Sequence, residues 1–273
     1  MSFSTMMVHV DLVDSSEALL RIAGDLAERF DARLIGITAG DIQPLYFIEG
    51  AAAQDILEKD RANLLSEMSA KERHFRETLK RRSTKIEWRS KLAWPADFVT
   101  REARAADLLI VRASGSGNGG LRRIDAGELA LSAGRPVLVV PPAIEWLKFG
   151  NMVVAWKDTR EARRAVSDAL PLLHQAKEVT VVELVEREAD QPAAKSRIND
   201  VAGWLVRRGI NAATIATKAL IGVPDQLVVI AQDEGAEIIV AGAYGHTRVQ
   251  EWIFGGVTRS LLKQQKCCVL LSN

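Results

Sequence analysis

Glu237-Ile238-Ile239-Val240-Ala241, followed by GAYGHTRVQEWIFGGVT over Gly242–Thr258, decides how this chain folds. The first five residues form an aliphatic run of the kind buried on both faces of a parallel sheet. The next seventeen carry glycines at 242, 245, 255 and 256 and lead into Leu261-Leu262-Lys263, which reads as helix. Strand, glycine loop and helix in that order make one step of an alternating α/β chain. A glycine pair entering a helix leaves backbone N–H groups open where the helix dipole is positive, a suitable seat for phosphate. The same glycines would also serve a tight strand-to-helix connection that holds no ligand.

Moving back from this stretch, the second half begins with an apolar strand, Asn151 to Trp156, and a helix with an Ala/Leu stripe over Glu161 to Leu173. A strand at Val179–Leu184, a helix at Arg187–Arg208 and a strand at Ala212–Thr217 follow. Pro224 then opens a helix, a position where the missing N–H costs nothing. The first half runs the same way. Met7–Asp11 is a strand ending in a carboxylate, and Leu19, Leu20, Ala23, Leu26, Ala27 and Phe30 form one helical stripe. Arg33–Thr38 is the second strand, Ala39–Ala52 a loop, and Ala53–Arg82 a long charged helix with Ile56, Leu64, Met68 and Phe75 inward. Ile86–Leu92, a helix at Ala96–Ala105 opened by Pro95, Asp107–Val111, a Gly/Ser loop at Ala113–Gly120, a short helix at Ala126–Ser132 and Pro136–Val140 complete it.

The halves are a tandem duplication. Trp94-Pro95-Ala96-Asp97-Phe98-Val99 is answered by Val223-Pro224-Asp225-Gln226-Leu227-Val228, and Val137–Val140 by Cys268–Leu271. Asp11 pairs with Lys157 at a shift of 146 and Pro95 with Pro224 at a shift of 129, so the first half holds about seventeen extra residues, in the 39–52 loop and the long helix. Repeats of this length make two domains, 1–142 and 151–273, and not a solenoid, whose units run to about 20–50 residues.

Composition narrows the function. Lys+Arg 36 against Asp+Glu 35 leaves a net charge of +1, without the basic excess of a general nucleic-acid binder. No apolar run approaches the roughly 20 residues of a membrane span, and MSFSTMMVHVD lacks the basic region and apolar core of a signal peptide. A cytoplasmic protein with no nucleic-acid or membrane partner is the expectation. Cys267 and Cys268 are adjacent on a strand and point to opposite faces, which argues for buried thiols in place of a disulfide or a metal site. His9, His74, His174 and His246 show no metal-ligand spacing. No G-x-S-x-G, Walker A or HExxH pattern occurs, and Ser114 and Ser116 lack any sign of a paired base, so no catalytic residue is assigned. Trp156 and Trp252 suit packing better than ligand stacking.

The chain resembles the universal stress protein family in its tandem two-domain form, over nearly its whole length. Nucleotide-binding members carry glycine, two residues, glycine, nine residues, glycine, then serine or threonine. Gly242, Gly245 and Gly255 keep that spacing, with His246–Phe254 as the nine, but Gly256 replaces the hydroxyl residue and Thr258 lies two residues further on. The resemblance implies an adenine-nucleotide alpha-hydrolase-like fold, a doubly wound five-stranded parallel sheet per domain with helices on both faces. It also implies a pocket at the carboxyl ends of the strands and ATP, with Mg alongside it, on the glycine loop, an acid at the end of the first strand lying near the adenosine. Asp11 fills that acidic position in the first half, whereas the second half has Lys157, with Asp158 next to it. Lys157 either pairs with a phosphate or forms a salt bridge with a neighbouring carboxylate. The first half has lost the glycine spacing, Gly115 and Gly117 being too close, and Gly127-Glu128 stands where glycine-serine is expected, a charge that repels phosphate.

These residues predict one adenine-nucleotide site, in the second domain, built from Gly242, Gly245, His246, Gly255, Gly256, Val257, Thr258, Ala155 and Lys157. It would serve a stress-response sensor with at most weak ATP hydrolysis. The alternative is an interaction protein with both pockets lapsed. The resemblance further implies pairing of domains through their last strands, Pro136–Val140 and Cys268–Leu271, within one chain or in a homodimer.

Overall fold

The computed structural model describes residues 2–42, 51–82, 84–113, 124–243 and 256–273. The first half contributes strands β1 (Thr5–His9), β2 (Arg33–Gly40), β3 (Ile86–Leu92), β4 (Leu108–Arg112) and β5 (Val137–Val140), with helices α1 (Glu17–Arg29), α2 (Ala51–Leu79), α3 (Pro95–Glu102) and α4 (Ala126–Ser132). The second half contributes β6 (Asn151–Ala155), β7 (Glu178–Val185), β8 (Ala212–Lys218), β9 (Ala236–Gly242) and β10 (Cys268–Ser272), with α5 (Arg160–Leu173), α6 (Gln191–Val206), α7 (Val223–Asp233) and α8 (Gly256–Lys263).

All ten strands lie in one sheet, in the order β3-β2-β1-β4-β5-β10-β9-β6-β7-β8. Within each half every pairing is parallel, as the near-continuous aliphatic strands require. The two five-stranded sheets do not remain separate: β5 and β10 pair antiparallel, Val139 opposite Val269 and Val137 opposite Leu271. The last strands therefore meet inside one chain. Two apolar layers run through both halves, one on each face of the sheet. One holds Val8, Leu20, Phe75, Val154, Leu173 and Cys268, and the other holds Met7, Ile37, Leu129, Val153, Leu227 and Cys267. The two cysteines thus lie on opposite faces, both buried and unbonded to each other. Arg29 reinforces the junction on one side, its guanidinium 4.4 Å above the Phe149 ring.

Each half shows the same device at its base. The Asp107 carboxylate at the foot of β4 accepts from the amides of Ser4 and Thr5, at 2.8 and 3.0 Å. Glu237, in the corresponding place on β9, accepts from Lys148 and Phe149 at 2.6 and 2.9 Å. The duplication is thus legible in side-chain chemistry as well as in topology.

In the second half the connections leave β6 in opposite directions, to β7 on one side and, later, to β9 on the other. Helices α5 and α6 cover one face and α7 and α8 the other. A crevice opens where such a sheet changes direction, beyond the carboxyl ends of the strands.

Candidate functional site

That crevice is a cleft of about 420 Å³ at the ends of β6, β7 and β9. Its floor is Ala155, Val182, Ala241 and Gly242, and its walls include Leu184, Val223 and Leu227 on one side and Thr159 and Ala162 on the other. Gly256, Val257 and Thr258, at the start of α8, border it, as does Lys157. Of the predicted site residues, Ala155, Lys157, Gly242, Gly256, Val257 and Thr258 are thus brought together. Gly245, His246 and Gly255 lie outside the described residues, as do Trp252 and the 114–120 loop of the first half with Ser114 and Ser116.

The chain enters the site through a tight turn. The Trp156 amide extends the β6 ladder by one bond to the Val182 carbonyl, 2.8 Å. Thr159 N–H then reaches back to the Lys157 carbonyl at 2.6 Å, and Thr159 Oγ1 caps α5 by accepting from Ala162 N–H. This turn leaves Lys157 exposed at the rim. Asp158 does not take over the acidic role: it points away to Arg163, 2.6 Å, and does not border the cleft. Among the described residues Lys157 has no carboxylate partner.

The first glycine of the loop has a job unrelated to ligand. A Cβ at Gly242 would sit 2.6 Å from Ala162 N and from Glu161 C, both backbone atoms. Only glycine lets the end of β9 come this close to the start of α5. Gly256 is the opposite case: a Cβ there meets nothing within 4 Å. The hydroxyl residue expected at that position is therefore absent without any packing reason. Thr258, one turn position further in, is buried and borders the cleft.

One charged group was not foreseen. Glu183, near the end of β7, is buried at 6% exposure and lines the cleft. Arg197 of α6 holds it, Nε donating to Oε1 and Oε2 at 3.1 and 3.2 Å and a second bond coming from Nη2. The hydrogen-bonded carboxylate in turn raises the Arg197 pKa further. The signal was present in the sequence, since Glu183 interrupts the otherwise uncharged run Val179–Val185. Trp156 packs on the α5/α6 side of the sheet, and its indole N–H is buried without an acceptor among the described residues.

The first half places different groups at the corresponding positions. The Val10 amide bonds the Ile37 carbonyl at 2.9 Å, as Trp156 bonds Val182, so Asp11 and Lys157 are structurally equivalent and His9 corresponds to Ala155. Asp11 Oδ1 is already engaged by the amides of Val13, 2.7 Å, and Asp14, 3.3 Å. His9 is buried, and desolvation pushes its pKa down to about 4 although Asp11 pulls the other way. Arg112 occupies the place of Gly242 and donates to the Ser15 carbonyl at 2.9 Å. Helix α4 begins at Ala126, with Asp125 as its cap just ahead of Gly127-Glu128. Asp125 Oδ1 accepts from the Gly127 and Glu128 amides at 2.8 and 2.9 Å. The N–H groups that would hold a phosphate are filled by the chain's own carboxylate.

Comparison with known proteins agrees with this architecture. A sequence model described as the universal stress protein family matches residues 2–141 and again 148–272. A universal stress protein of Methanocaldococcus jannaschii is 38% identical over 53 residues, which span 19% of this chain and 33% of that relative. The solved universal stress protein of Archaeoglobus fulgidus superposes with a TM-score of 0.67 at 15% identity, covering 98% of each chain. A universal stress protein structure from Pseudomonas aeruginosa gives 0.59 at 16% identity, covering 99% of this chain and 93% of that one. With both halves matched, the chain belongs to the universal stress protein family, as a tandem pair of its domains.

Proposed function

We propose that this protein is a stress-response sensor that binds one adenine nucleotide, ATP in the first instance, in the domain formed by residues 151–273. The observation that carries the reading is the cleft itself: about 420 Å³, at the point where the strand order changes direction, with a helix start and a lysine on its rim. The base and ribose lie against Ala155, Val182, Leu184 and Leu227 near the ends of β6 and β7. The phosphates lie at the start of α8, where Gly256 leaves the approach clear and the helix dipole is positive. Mg, when present, arrives on the phosphates, since such an ion usually keeps its waters and takes few protein ligands. Among the described residues of the cleft no side chain is a nucleophile with a paired base, and binding is the activity assigned. The domain 1–142 acts as a partner in the shared sheet without a nucleotide of its own, a reading supported by buried His9, by Arg112 in the place of Gly242 and by the Asp125 carboxylate on the first amides of α4.

Equilibrium binding of labelled ATP to the full chain tests this. Saturable binding of one nucleotide per chain is the expected result, and absence of saturation at millimolar ATP overturns it. The second reading, an interaction protein without nucleotide, draws on the missing hydroxyl at Gly256 and on Lys157, and the negative outcome of that experiment would favour it.

A further inference from the structure

We propose that two copies of this chain join through strand β8, antiparallel about a two-fold axis near Thr214, so that the sheet of one molecule continues into the next. The pairing stands apart from the nucleotide reading and does not depend on it.

The seam of β5 with β10 uses the last strands inside the chain, which leaves β3 and β8 as the two edges of the ten-stranded sheet. The edges differ in how they meet solvent. Strand β3 carries Glu87, Arg89 and Lys91, with Glu87 paired to Arg33 and Arg89 to Glu102. Charge of this kind keeps an edge from pairing with another chain. Strand β8 has no charged residue from Ala212 to Thr217. Three strand spacings, about 14 Å, separate it from β9, and its unpaired side faces away from the rest of the sheet.

The register shows which groups are open. Val179 N–H donates to the Asn211 carbonyl and Ala219 N–H to the Val185 carbonyl, each at 2.9 Å, so the odd-numbered residues of β8 bond β7. Ala212, Thr214, Ala216 and Lys218 therefore turn their N–H and C=O groups outward. Among the described residues the partner these groups find is Gln191, whose Nε2 donates to the Ala216 carbonyl at 2.7 Å. That oxygen keeps a second lone pair for a neighbouring strand. With Thr214 opposite the same residue of a second copy, Ala212 of each copy faces Ala216 of the other, and every pair exchanges both backbone bonds.

The two ends of the strand complement each other. At the carboxyl end Leu220 is 80% and Ile221 53% exposed, and both are held in place, because Gln226 Oε1 accepts from their amides at 2.8 and 3.4 Å. At the amino end Val206, where α6 stops beside the start of β8, is 55% exposed. Charge divides the same way. Exposed Glu186, Glu188 and Asp225 lie with Lys218 toward the carboxyl end, and exposed Arg207 and Arg208 toward the amino end. Antiparallel pairing sets the apolar pair of each copy toward Val206 of the other, and its carboxylates toward the arginines. One surface satisfies both ends at once when its partner is itself, the property of an isologous contact. One strand and its flanks make a small interface beside the roughly 800 Å² per partner of a standard one, so the dimer should dissociate on dilution.

Sedimentation equilibrium of the full chain, from about 1 to about 500 μM, tests the proposal on the wild type, Thr214→Pro, Leu220→Asp and Ser90→Pro. Thr214→Pro removes an outward donor and spares the bonds to β7, a change that an edge strand tolerates. Ser90→Pro does the same on β3, where the odd-numbered residues bond β2. The wild type and Ser90→Pro should dimerise alike, and Thr214→Pro and Leu220→Asp should each dimerise at least about tenfold more weakly. Circular dichroism at the lowest concentration should be the same for all four. If Thr214→Pro fails that check, Leu220→Asp, which lies outside the strand, decides. A wild type that stays monomeric throughout overturns the proposal, as does a dimer of undiminished strength in Leu220→Asp and in a folded Thr214→Pro. Loss of the dimer in Ser90→Pro alone places the contact on β3 and overturns it as well.

Discussion

Gly242 and Ala162 approach so closely that a methyl group on the first would stand 2.6 Å from the amide nitrogen of the second. The end of β9 and the start of α5 are thereby locked together, and both border the cleft. Gly242→Ala forces one of these backbones to move. Overpacking of this kind costs about 1–3 kcal/mol. Chemical denaturation should show a lower midpoint with an unchanged slope, together with weaker nucleotide binding; an unchanged midpoint would contradict the contact.

Gly256→Ser should have the opposite effect. Its side chain enters open space, removes a glycine from the first turn of α8 and supplies a hydroxyl at the phosphate end of the cleft. ATP affinity should rise about fivefold to tenfold, in keeping with one added hydrogen bond. Folding stability should not fall. Isothermal titration beside thermal melting checks both, and equal affinity of variant and wild type would place the phosphates elsewhere.

His9 gives the protein a pH dependence of known sign. Burial holds its pKa near 4 in the folded state, below the ordinary 6.5, so the unfolded chain binds the proton first as pH falls. The stability associated with neutral His9 is complete above about pH 6.5 and is lost progressively down to about pH 4, by up to about 3 kcal/mol. His9→Ala, which copies Ala155, should flatten the stability profile between pH 7 and 4 even if its stability at pH 7 is lower. Parallel profiles for the two proteins would exclude His9 as the titrating group.

Cys267 and Cys268 should be inert in the folded protein. Burial raises both thiol pKa values, that of Cys267 to about 11, and the nucleophile is the thiolate. A maleimide or an aromatic disulfide reagent at pH 8 should label neither within the time that it labels both in denaturant. Rapid labelling of the folded chain would mean that β10 opens readily.

Asp125→Ala removes the carboxylate that closes the first turn of α4, at a cost of about 1 kcal/mol. The melting temperature should drop modestly. Nucleotide stoichiometry should stay at one per chain, because the proposed site lies in the second half.

Much of this architecture could be read from the residues. Aliphatic runs such as Val137–Val140 and Ile238–Ala241 announce buried parallel strands, and Pro95 and Pro224 mark the starts of α3 and α7. The cleft residues near β6 and α8 were also legible, because topology and glycine spacing place them together. What escaped was decided by pairing across long separations. Nothing in Val137–Val140 alone states that Cys268–Ser272 will lie beside it; the pairing of the last strands was expected only from the resemblance, which left open whether it forms within one chain or between two. Asp125 escaped although the start of α4 at Ala126 was legible, because its carboxylate engages the Gly127 and Glu128 amides only in the folded geometry of the cap. Glu183 was visible as a charge in an apolar strand, but its partner Arg197 sits on a different element and is found only in three dimensions.

The antiparallel seam between β5 and β10 has a consequence for how the protein is made. Strand β10 follows β5 by about 130 residues. At ordinary synthesis rates of about 5–20 residues per second, the first half waits on the order of ten seconds with one side of β5 uncovered. Its exposed amides and carbonyls, on the strand Val137-Leu138-Val139-Val140, are then an adhesive edge available to any extended chain nearby. Polysomes carrying this message hold several such edges close together. The mature sheet gains a seamless centre at the cost of a vulnerable interval during translation, in which the first half depends on the prompt arrival of the second.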